Sequence, residues 1–112
     1  MPVPSRVFFA DEKLRLAYGK LEHGRTEERR LYRHLGQALT NLEKDAFCGF
    51  QVPKRLIPKA YRTAFGITNL WKYDLPGAWR LLYSVKGSEV AVLSIVLEWL
   101  SHKEYEKRFG YL

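Results

Sequence analysis

The spacing of apolar and polar residues changes along this chain, and each change predicts an element. Val7, Phe8 and Phe9 form a short apolar run within Val3–Ala10 that predicts a first strand. Asp11 follows as an N-cap, and Leu14, Ala17, Tyr18 and Leu21 then recur at helical spacing until His23-Gly24. Thr26 can cap a second helix whose stripe is Leu31, Leu35, Ala38, Leu39 and Leu42, with Glu27 and Glu28 suited to its positive end. Arg29, Arg30 and Arg33 fall off that stripe, and a short turn makes the two helices an antiparallel hairpin. Gly49, Pro53 and Pro58 break the next stretch, and a brief helix over Lys59–Phe65 is stopped by Gly66. From Leu70 the period becomes two. Leu70–Leu75, Trp79–Val85 and Glu89–Leu97 predict three consecutive strands, with turns at Pro76-Gly77 and Lys86-Gly87-Ser88. The third is apolar at nearly every position, as a central strand covered on both faces would be. A short helix over His102–Arg108 ends the pattern.

This order predicts one α+β domain spanning residues 1–112: an N-terminal strand, a helical hairpin, a three-strand antiparallel meander and a short C-terminal helix. The helices are expected on one face of a small, largely antiparallel sheet. No apolar run reaches the roughly 18 residues that a membrane span needs, so no membrane association is expected. The opening run lacks a small-residue cleavage site and reads as a strand, not a leader. The single cysteine, Cys48, cannot form an internal disulfide and is expected to be a small buried apolar residue. Nothing has the spacing of a metal site, so no metal or cofactor is expected, and a cytoplasmic location fits a lone thiol.

Charge narrows the function classes. Nineteen Lys and Arg against 12 Asp and Glu give a formal net charge of +7. On so small a domain this favours a polyanion or an acidic protein partner, with mere solubility as the plainer alternative. Within Trp79–Val85, alternation puts Arg80, Leu82 and Ser84 on the face opposite Trp79, Leu81, Tyr83 and Val85. A strand arginine is held stiffly and its planar fork grips two phosphate oxygens. The structural alternative is a sheet Arg paired with Asp74 or Glu98. A hairpin would bring Lys72 near Arg80, and two close cations repel unless an anion sits between them. His102 and Tyr105 share a helical face, and an imidazole both takes and gives protons near neutral pH. RNA cleavage by its own 2′-hydroxyl needs a base, an acid and cations for the added phosphate charge. Arg80, Lys72, His102 and Tyr105 could fill these roles; otherwise His102 caps its helix and Tyr105 packs on the sheet. Lys54, Arg55, Lys59 and Arg62, with Tyr61 and Phe65 among them, suit single-stranded RNA if the rings are exposed, though Phe65 reads as core. Trp71, Trp79 and Trp99 read as packing residues.

The strand–helical hairpin–strands order resembles the RelE/ParE superfamily of toxin–antitoxin systems. So does the strand Trp79-Arg80-Leu81-Leu82-Tyr83, together with Leu70-Trp71-Lys72-Tyr73 and the closing His102-Lys103-Glu104-Tyr105. The resemblance covers most of the chain, though the basic loop around Lys54–Tyr61 is longer than in compact members. It implies a toxin that cleaves messenger RNA on the ribosome and is silenced by a small acidic antitoxin protein. It also implies that Arg80 binds the scissile phosphate with help from Lys72, and that acid/base chemistry falls on His102, Lys103 and Tyr105. Asp74 stands where a second basic residue is expected. The ParE branch shares the fold but poisons DNA gyrase, and fold alone does not separate the branches.

Overall fold

The computed structural model describes residues 1–88 and 90–110. Strand β1 (Arg6–Phe9) leads into helices α1 (Glu12–Leu21) and α2 (Thr26–Lys44). After them come β2 (Phe50–Gln51), a 3-10 turn at Lys54–Leu56, and α3 (Lys59–Phe65). Strands β3 (Trp71–Leu75), β4 (Trp79–Gly87) and β5 (Val92–Leu100) follow, and α4 (His102–Phe109) completes the order. The class is α+β. The sheet is mixed, with five strands in the order β1-β5-β4-β3-β2. Strands β3, β4 and β5 pair antiparallel in sequence, whereas β1 lies parallel to β5, with Phe8 opposite Ile95. The sheet is therefore wider than the sequence pattern predicts, and its β1 edge is parallel.

Helices cover both faces of the sheet, which corrects the expectation of one. Leu31, Leu35, Ala38 and Leu42 of α2 form a core with Leu75, Leu81, Tyr83 and Val96. Leu14, Tyr18 and Leu21 of α1 pack at its margin, with Trp71, Trp79 and Trp99. On the opposite face Val52, Ile57 and Tyr61 meet Leu70, Leu82, Leu97, Leu100 and Tyr105. The loop and short helices after α2 thus form a second layer, hidden in the sequence because prolines interrupt its apolar spacing. The strict alternation of β4 feeds both cores. A bulge opposite Leu82 and Tyr83 sets Glu98 against Leu82 and Val96 against Tyr83. Leu97 and Glu98 therefore lie on the same face, and the rest of β5 keeps its alternation.

Several boundaries shift for local reasons. Strand β1 begins at Arg6, not Val3, because Pro2 and Pro4 carry no N–H and the N–H groups of Val3 and Ser5 go elsewhere. They donate to Asp45 Oδ1 (3.1 Å) and to the Glu43 carbonyl (3.0 Å). Arg25, not Thr26, holds the N-cap position of α2, and the Glu28 carboxylate accepts from its N–H at 3.1 Å. Asp11 caps α1 as expected, accepting from the Leu14 N–H at 2.8 Å. Strand β5 begins at Val92; Glu89, expected to open it, lies outside the described residues. Cys48 is exposed, contrary to expectation, because Ala46 takes the buried place in that loop.

The Tyr83 hydroxyl ties this loop to the sheet. It donates to the Ala46 carbonyl at 2.9 Å and accepts from the Gly49 N–H at 3.1 Å. Replacing Tyr83 with Phe leaves both groups without that partner. We expect a loss of about 1–3 kcal/mol, read as a lower midpoint in urea unfolding. Burial also pushes the Tyr83 and Tyr61 phenols above their ordinary range. Below the unfolded tyrosine pKa of about 10 both states are protonated and stability is unaffected. Above it the unfolded chain releases protons that the folded protein retains, so stability should fall with rising pH. Thermal unfolding across that interval checks this, and Tyr83→Phe should show a shallower fall.

Candidate functional site

The register of the β3–β4 hairpin builds the site. Asp74 lies directly opposite Arg80, and Lys72 lies opposite Leu82, so Lys72, Asp74 and Arg80 share the α4 face of the sheet. Asp74 Oδ1 is 3.1 Å from Lys72 Nζ and 3.0 Å from Arg80 Nε. The Arg80 Nε is buried and its N–H is not aimed at a hydrogen-bond acceptor, so its contact with Asp74 is Coulombic. One Arg80 terminal nitrogen donates to the Trp79 carbonyl at 3.3 Å. The carboxylate partner considered for Arg80 in the sequence is thus present, and it serves Lys72 as well.

Tyr105 gathers the cluster from above. Its ring packs into the second core, with the Arg80 guanidinium carbon 5.3 Å and Lys72 Nζ 5.9 Å from its centroid. Helix α4 fixes that ring because β5 runs into it through Ser101, which caps it. The Ser101 hydroxyl accepts from the Glu104 N–H at 3.3 Å, and the Glu104 carboxylate accepts from the Ser101 N–H at 2.9 Å. That backbone bond, then the serine hydroxyl, holds the Glu104 carboxyl below its usual range. Ser101, not His102, is therefore the cap. His102 is the first helical residue, exposed, and its Nε2 pairs with Glu106 one turn on. Lys103 is exposed beside it.

The basic loop sits on the same side of the sheet, turned outward. Lys54, Arg55, Lys59 and Arg62 line one shallow groove with Ile57 and Thr63. Arg62 is partly occupied in holding that loop, since its guanidinium donates to the Lys54 carbonyl at 2.6 Å. Of the two rings among these cations, Phe65, expected in the core, is instead the exposed one. Tyr61 is 1% exposed and belongs to the core, while Phe65 is 36% exposed and stacks on it at 6.3 Å between centroids. Tyr61 also lies beneath the Arg108 guanidinium, at 5.6 Å, and Arg108 pairs with Glu98. The bulge at Leu97 and Glu98 is what turns Glu98 toward that arginine.

The structure therefore brings together Arg80, Lys72 and Tyr105, with Asp74 between the cations. It sets His102 and Lys103 on the outer side of the same helix and the basic groove on a separate surface. Sequence reading assigned nothing to Phe50, whose ring lies 5.3 Å from Lys72 Nζ. A two-residue strand flanked by Gly49 and Pro53 shows no alternation that would reveal which face Phe50 occupies.

Among the described residues, no helix is long and apolar enough to cross a membrane, and no three His, Cys, Asp or Glu side chains gather as a metal-ligand set. Comparison with protein-family models, with curated proteins and with solved structures finds no match. The geometry yields one direct expectation. Ser101→Ala removes the cap that positions Tyr105 and should lower stability by about 1 kcal/mol. Chemical denaturation checks the energy, and loss of amide protection at residues 102–105 locates it in α4.

Proposed function

We propose that this chain is a RelE-like toxin of a type II toxin–antitoxin system, a ribosome-dependent endoribonuclease that inhibits translation by cutting messenger RNA. The observation that carries the reading is the convergence of Arg80 and Lys72, two cations on neighbouring strands, on the ring of Tyr105. A phosphate at this place meets a stiffly held guanidinium and a mobile ammonium, which suits the charge that builds on a phosphorus under attack. In the reaction the 2′-hydroxyl gives its proton to a base and attacks phosphorus. The bond to the 5′-oxygen breaks, and that oxygen takes a proton from an acid. Tyr105, against both cations, and His102, one turn earlier on the outer side of α4 and paired with Glu106, are the groups assigned to these transfers, His102 serving only RNA that passes over that side of the helix. Lys54, Arg55, Lys59, Arg62 and Lys103 hold the RNA backbone. The partner that keeps the toxin silent is a small acidic protein, in keeping with the net charge of +7.

Asp74 favours a second reading. Its carboxylate already pairs with both cations, leaving the trio one positive charge in excess. A domain that keeps this internal ion pair has no need of catalysis. It would be a non-nucleolytic member of the same fold, gyrase-directed or degenerate, or a basic RNA-binding accessory protein. In the nuclease reading the same carboxylate holds the place of the substrate phosphate until RNA displaces it.

Induced expression with primer-extension mapping of messenger RNA separates these readings. Wild type should arrest growth and produce new 5′ ends. Arg80→Ala, shown to be folded by circular dichroism, should lower cleavage by about a hundredfold or more. Asp74→Asn releases both cations and should cut at least as fast as wild type. Full cleavage by folded Arg80→Ala sinks the nuclease assignment. Arrest without cuts selects the gyrase-directed reading, and no arrest selects the degenerate or RNA-binding one.

A further inference from the structure

We propose that Phe50 is a stacking platform for an unpaired nucleobase next to the Lys72–Arg80 phosphate site, so that this face takes single-stranded RNA and rejects duplex. The proposal rests on the phosphate reading of that site. Phe50 lies opposite Lys72 across the β2–β3 ladder, which places its side chain on the face that carries Asp74 and Arg80. Its ring is 62% exposed, with the Lys72 ammonium 5.3 Å from the centroid. The same ammonium is 5.9 Å from the Tyr105 centroid, so two rings flank one cation.

The position is fixed. The Gly49 N–H donates to the Tyr83 hydroxyl, and a Cβ at Gly49 would stand 2.5 Å from the Lys72 carbonyl oxygen. The chain entering β2 is thus pressed against β3, and Phe50 is held at the sheet edge by that contact. Phe47, the other exposed ring of this loop, leans on Trp71 at 5.1 Å. Phe50 presents much of its ring to solvent beside the Lys72 ammonium. Flat π-faced groups joined by phosphates match that arrangement: bases stack on the ring while the backbone meets Lys72 and Arg80. In a duplex each base is already stacked within the helix and unavailable to the ring.

Fluorescence anisotropy tests this with a labelled unpaired oligoribonucleotide of about eight nucleotides, its duplex, and versions with one abasic position. Phe50→Ala should weaken binding of the unpaired strand about ten- to a hundredfold, and Phe50→Trp should restore it. One abasic oligonucleotide should bind wild type and Phe50→Ala alike. The salt dependence should be unchanged in Phe50→Ala, which removes no charge, but shallower in Arg80→Ala. Equal affinity of Phe50→Ala and wild type, with Arg80→Ala weakened, overturns the stacking role and leaves the phosphate reading standing. Equal affinity of Arg80→Ala and wild type, or no RNA binding by wild type, overturns both. Duplex bound as tightly as single strand also overturns the proposal.

Discussion

Leu81 and Leu82 are neighbours in the chain, both fully buried, and they enter different cores. Strand β4 can do this because helices α1 and α2 cover one face of the sheet while α3, α4 and the 3-10 turn cover the other. A one-residue slip of β4 would exchange the contents of both cores and carry Arg80 to the wrong side. Register is therefore held from two directions, by large side chains on each face. That is why the charged residue near the start of the strand, Arg80, has a fixed position. The bulge in β5 extends the same logic, since it turns Glu98 to the α4 face without disturbing Val96 on the other.

The cluster around Tyr105 joins core packing and charge pairing in one set of contacts. Arg80 is deeply placed for a cation, and a charge there needs compensation wherever the fold comes from. Asp74 supplies it, and the face of Tyr105 supplies more. A ligand phosphate would meet the same requirement with a different anion. The internal carboxylate holds the two cations close together across the β3–β4 hairpin.

The sequence was most legible where local pattern and burial agree. The α2 stripe is buried at Leu31, Leu35, Ala38 and Leu42, and the alternation of β4 assigns each side chain to the correct face. It was least legible between Phe47 and Ile67, where prolines and a two-residue strand leave no period to read. The second layer, the exposure of Cys48 and the exposure of Phe65 all fall there. The site was legible in identity more than in relation. Arg80, Lys72 and Tyr105 could be named because a hairpin and a following helix constrain them. That one carboxylate bridges both cations depends on the register, which spacing alone does not fix. His102 was given a capping alternative, but a serine one residue earlier forms the better cap because its oxygen reaches the free N–H of Glu104.

The parallel pairing of β1 with β5 has a consequence for how the protein is made. Arg6–Phe9 is synthesised before its partners Leu93–Val96, which follow it by 87 residues. At roughly 5–20 residues per second, the first strand waits several seconds for the one that completes its side of the sheet. Tyr105 emerges later still. Lys72, Asp74 and Arg80 can pair as a hairpin before then, but without the ring that joins them to α4. The Lys72–Asp74–Arg80 trio therefore meets the ring of Tyr105 only after β5 and α4 have been synthesised and packed.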